Sequence, residues 1–146
     1  MKPAEYWIDH LHLQPHPEGG FYRETYRSGD TIPQTGLPAR FPGPRSFSTA
    51  IYFLLRSQDR SLFHRIKSDE LWHWHAGSML SIYVLDRQGL TVHQLGDNPE
   101  KGESLQLTIP ANCWFGARFQ DFELAGKEEL IKQYPSHKEI VDLLTR

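Results

Sequence analysis

A single cysteine, Cys113, in 146 residues excludes an intrachain disulfide framework. It stands between Asn112 and Trp114 in a strand-like run, where a lone cysteine reads as a small core residue without the activating neighbour a nucleophile needs. No stretch approaches the ~18 apolar residues of a membrane helix. The opening MKPAEYWIDHLHL lacks the basic stretch and unbroken apolar run of a secretory signal, so a cytoplasmic protein with no membrane partner is the expectation. Positive charge is not in excess either. With a formal net charge of −2 there is no basic field to hold a phosphate backbone, and no nucleic acid partner is expected. Repeats and low-complexity tracts are absent, and the chain reads as one domain over 1–146.

What is present is apolar and aromatic material for a core, at 38% and 12% of the residues, and eight histidines. Residues 1–14 hold a short amphipathic helix over about 3–13, with Trp7, Ile8 and Leu11 on one face and Pro3 in its first turn. Pro15, Pro17 and Gly19-Gly20 end it. FYRETYR (21–27) alternates as a strand does. The proline-punctuated segment 28–44 reads as a long loop of the kind that covers a pocket mouth. Beyond it come short strands separated by turn signals: 47–55, 61–67, 70–76, 79–85, 90–95, then SLQLTIP and NCWFGARF. That rhythm belongs to a sandwich or closed barrel. The β region is placed at 19–124. The tail, 126–146, has apolar residues at helical spacing and reads as two short helices, the second capped by Ser136.

Chemistry concentrates in FHRIKSDELWHWHAGS (63–78). If 61–67 and 70–76 form a hairpin, alternation puts Glu70, Trp72 and Trp74 on one face and Leu71, His73 and His75 on the other. His64 and Ile66 share a direction on the preceding strand.

These residues resemble the cupin superfamily, whose first motif is G-x(5)-H-x-H-x(3,4)-E-x(6)-G. His64 stands at the first His, Glu70 at the Glu, Gly77 at the closing Gly, and Ile66 replaces the second His. The second motif, P-x-G-x(2)-H, resembles IPANCWF: Pro110 matches, Asn112 takes the Gly place, and Phe115 stands at the His. PHPEGGFYRETYRS, STAIYFLL, FHRIKSDELWHWHAG and IPANCWFGAR together resemble the Cupin_5-type branch. The resemblance implies an all-β fold, a jelly-roll barrel (double-stranded β-helix) with short terminal helices, and a homodimer. It also implies a further strand and a Pro-Gly-Phe turn after Arg118, whereas here Phe119 and Gln120 lead almost at once into DFEL (121–124).

Metal-binding cupins use about three His and one carboxylate, and this chain keeps two of the four positions, so neither a metal nor another cofactor is expected. The reading instead is a small-molecule pocket, with His64 and Glu70 as an acid–base pair and Trp72, Trp74 and Phe115 as walls. The ligand would be a sugar-like or other small polar metabolite, and an isomerase or epimerase activity fits such a pair. Against this, Glu70 is simply a hydrogen-bonded buried carboxylate of the fold, and the Trp-His run is core packing. His73 and His75 either lie on the outer face at a subunit interface or, if Asp69 faces inward in place of Glu70, join the pocket. Arg23 either clamps an anionic ligand or makes a salt bridge along its strand. The alternatives are a divergent metalloenzyme, an oxygenase or isomerase using His64, Glu70 and one or both of His73 and His75, and a non-catalytic structural cupin.

Overall fold

Proline, glycine and a few positive-φ residues cut the chain into short elements. The computed structural model describes residues 2–119, which fall into two compact units, 2–54 and Leu55 onward.

In the first unit, α1 (Ala4–His10) follows Pro3, whose extended backbone sets the entry. It ends three residues short of the expected Leu13, because His12 adopts φ 53°. That left-handed conformation breaks the helical ladder and sends the chain into β1 (Gln14–Pro15). Gly19 and Gly20, at φ 104° and 74°, then turn it into β2 (Phe21–Arg27). The segment read as a loop holds β3 (Thr31–Ile32) and a 3-10 turn at Gln34–Gly36, and leads to β4 (Arg45–Ser46), which pairs with β3. The prolines between them lack the N–H that would extend this two-rung ladder. β5 (Thr49–Leu54) pairs with β2, giving the order β1-β2-β5. The register shifts between Glu24 and Tyr26, so Thr25 is an extra residue. Glu24 and Arg27, three apart, therefore reach one face and pair, Nε to Oε1 at 3.0 Å.

The second unit contains β6 (Arg60–Arg65), β7 (Glu70–His73), β8 (Leu80–Asp86), β9 (Gly89–Leu95), β10 (Gln106–Ile109) and β11 (Trp114–Phe119). β6, β11, β8 and β9 form one sheet in that order, and β10 and β7 form a second ladder. β8 and β9 make the local hairpin, closed by the Gln88 N–H on Asp86 Oδ1 at 2.7 Å and by Gly89 at φ 124°.

β6 and β7 do not form the expected hairpin. β6 pairs with β11 and β7 with β10, so residues 60–73 run antiparallel to 106–118 as a ribbon with one corner. The corner is held across the chain. The Asn112 N–H donates to Ile66 O at 2.8 Å, and the Ala111 N–H donates to Asp69 Oδ1 at 2.9 Å. With its polar groups taken by 111–112, the 66–69 link turns a corner rather than folding β7 back on β6.

Ile82, Ile109, Phe115 and Ala117 are wholly inaccessible, and Val84 and Leu95 nearly so. A second cluster, Phe63 and Tyr83 with Leu85, Leu90 and Val92, covers the other face of the larger sheet. The inner strand β8 is thus buried on both sides, which accounts for its almost unbroken apolar sequence. Among the described residues no helix is long and apolar enough to cross a membrane. The helices expected over 126–146 and the link from Arg118 to DFEL lie outside the described residues.

Candidate functional site

The bent ribbon carries both sequence motifs, one on each strand. On its first arm, His64 is directly opposite Phe115, and Phe115 is opposite Val84. The register slips between Phe115 and Ala117, where Leu62 and Phe63 face Gly116 alone. This bulge brings Ser61 to the same face as His64, although they are three apart. It also aims the imidazole. His64 Nδ1 lies 2.8 Å from Leu62 O, and since a carbonyl only accepts, Nδ1 carries the proton. That tautomer leaves the Nε2 lone pair for a ligand. Its ring packs on Phe115 with centroids 4.2 Å apart.

On the second arm, Glu70 is opposite Ile109 and Trp72 is opposite Leu107. Glu70, Trp72 and Trp74 share this covered face and are half-buried. Leu71, His73 and His75 are exposed on the other side, with Thr108 and Gln106. Glu70 rather than Asp69 thus faces the core, while exposed Asp69 pins the corner. The Trp74 backbone N–H bonds Leu105 O at 2.8 Å, but its indole Nε1 is buried with no acceptor among the described residues. The indole N–H is a donor only.

His64 and Phe115 therefore lie on the covered face of one arm, and Glu70, Trp72 and Trp74 on that of the other. His73 and His75 join neither. Arg23 belongs to the other unit, half-buried on β2 opposite Tyr52. The salt bridge on its strand is made by Glu24 and Arg27, and that hydrogen-bonded guanidinium holds the Glu24 carboxyl below its ordinary range. Phe115 and Ile66 offer no donor atoms at two of the four metal-ligand positions. Among the described residues no three His, Cys, Asp or Glu side chains converge as a metal set. Burial, with the Asp86 charge secondary, raises the Cys113 thiol above its ordinary value, which does not favour a thiolate. One residue escaped the motif reading. His93 on β9 pairs with Ile82 and stands on the same sheet face as His64. Alternation along LTVHQL was its only signal.

The comparison with curated proteins returns no match. A hypothetical protein from Leishmania major is similar in structure, with TM-score 0.78, 30% identity and 99% of each chain covered. So is a Shewanella oneidensis protein solved by X-ray crystallography, with TM-score 0.75 and 39% identity over 100% of this chain and 99% of that one. The family model described as the cupin superfamily (DUF985) matches residues 5–131. With its strand-dominated structure and its two motifs on one bent ribbon, the chain belongs to the Cupin_5 family of the cupin superfamily, and its all-β fold is the cupin jelly roll.

Proposed function

We propose that the protein binds a small polar metabolite on the covered faces of the bent ribbon, with His64 and Glu70 as its polar contacts and Trp72, Trp74 and Phe115 as walls. The observation that carries this reading is the orientation of His64. A core histidine kept only for packing has no need of a bulge that fixes its tautomer and leaves Nε2 as an acceptor. A base that takes a proton and a carboxyl group that returns one are the two groups an isomerase or epimerase requires, and the pair is assigned that chemistry here. No step in this reading uses a metal or other cofactor.

A thermal-shift screen of sugars and organic acids, repeated with Glu70→Gln and His64→Ala, tests it. The expected result is a ligand-induced rise in melting temperature for the native chain that both variants lose while remaining folded. An unchanged ligand shift in both variants refutes the reading. Two copies of the chain are proposed to associate, supported by the exposed apolar side chains of Leu71 and Leu105, 54% and 60% accessible. Light scattering that gives a monomer mass refutes this second point.

A further inference from the structure

Antiparallel register places two rows of side chains on the covered face of the larger sheet. One row is His64, Phe115 and Val84, ending at the exposed Thr91, and the neighbouring row is Ser61, Ala117, Ile82 and His93. The second histidine thus lies on the edge strand β9, three strand spacings or about 14 Å from β6. His93 is half-buried among apolar neighbours and forms no hydrogen bond or ion pair among the described residues. The ring nitrogens of His93 are thus open to solvent or to a ligand.

Charge on these faces is as informative. The strand arginines of this unit, Arg60, Arg65 and Arg118, take the opposite face: Arg60 pairs with Arg118, and Arg65 with Trp114, over whose ring its guanidinium sits at 5.3 Å. Arg60 and Arg118 are half-buried there, whereas the face that His64 shares with His93, and the face of β7 that carries Glu70, hold no lysine or arginine among the described residues. The buried or half-buried polar groups of these two faces are Ser61, His64, Glu70, His93 and the indole N–H groups. Recognition of a phosphate ordinarily uses Arg, Lys or a cluster of backbone N–H donors. The buried Trp74 Nε1 requires an acceptor, which a ring or carbonyl oxygen supplies.

We infer that His93 belongs to the same ligand-binding surface as His64, and that this surface takes an uncharged, oxygen-rich ring compound, a free sugar or lactone, rather than a phosphorylated or nucleotide-linked one. The inference rests on the binding reading above and deepens it.

Titration calorimetry tests both parts with glucose, galactose, xylose and gluconolactone set against the sugar phosphates and UDP-glucose. The native chain is compared with Glu70→Gln, His93→Leu and His93→Gln, each checked for native circular dichroism. The expected result is binding of an uncharged compound, weakened at least tenfold by His93→Leu and partly restored by His93→Gln, which keeps hydrogen-bonding capacity. Tighter binding of the phosphates or UDP-glucose overturns the assigned ligand class and leaves the binding reading intact. Native affinity in His93→Leu overturns the role of His93 alone. If no uncharged compound binds, this inference falls alone; the binding reading falls, and this inference with it, when the ligand-induced shift survives both Glu70→Gln and His64→Ala.

Discussion

Phe115 stands directly across the β6/β11 ladder from His64, with ring centroids 4.2 Å apart, and is wholly inaccessible. An aromatic ring thus occupies the place of the last histidine in the superfamily pattern. It fixes one side of the His64 ring while the Leu62 carbonyl fixes Nδ1. Phe115 thus packs where the superfamily motif has a histidine, and His64 Nε2 forms no hydrogen bond among the described residues.

Truncation of that ring tests its structural part. Phe115→Ala is expected to destabilise the protein by about 3–5 kcal/mol, the usual loss for a buried aromatic. Urea unfolding measures it. A loss below about 1 kcal/mol, the range of tolerated swaps, would mean that the site collapses freely and that Phe115 does not order His64.

The tautomer of His64 is open to direct observation. Nitrogen-15 NMR above the histidine titration is expected to show Nδ1 protonated and Nε2 bare, the reverse of the form commoner in free imidazoles. Protonation at Nε2 would remove the acceptor on which the acid–base reading depends.

Asp69 is a positioning residue at the ribbon corner. Asp69→Ala removes the acceptor for the Ala111 N–H and is expected to cost about 1 kcal/mol, the net worth of one such bond. Asp69→Asn keeps a side-chain oxygen and should recover most of the loss. Equal losses in both variants would show that the negative charge, rather than the bond, holds the corner.

The turn before β6 carries the clearest pH dependence. The Arg56 guanidinium bonds Asp59 through Nε and Nη2 at 2.9 and 3.1 Å, and the Arg56 backbone N–H adds a bond at 3.0 Å. Chiefly through the guanidinium bonds, the Asp59 carboxyl is held below its ordinary value. A lowered folded-state value contributes stability above the ordinary carboxylate range, and that contribution is lost as pH falls through the lowered value. Asp59→Asn should therefore cost about 1 kcal/mol at neutral pH and show a smaller loss of stability on acidification. Parallel pH–stability curves for native and variant chains would exclude this contribution.

Cys113 should be slow to alkylate. Its thiol is raised by burial, with Asp86 adding to the effect, so at neutral pH it should react with iodoacetamide more slowly than an unstructured cysteine peptide. Cys113→Ser is expected to leave ligand binding unchanged. Rapid labelling at neutral pH would require another arrangement around the thiol.

Much of this protein is written locally. Alternation predicts Phe21–Arg27 as the strand β2, turn residues place the β8/β9 hairpin, and period two separates Glu70, Trp72 and Trp74 from His73 and His75. Motif spacing singles out His64, Glu70 and Phe115, and with them the family. Strand partners are a different matter, because pairing depends on which apolar faces meet across long stretches of chain. No local pattern says that β7 joins β10 instead of β6, that the 66–69 link is held by Ala111 and Asn112, or that His12 ends α1 early. The bulge that turns Ser61 and His64 to one face, and the register that adds His93 to it, likewise exist only once four strands lie side by side. The sequence by itself determined the strands, their alternating faces and the chemically able residues. Tertiary pairing decided which of those faces became one surface, since a one-residue change of register moves every side chain to the other side.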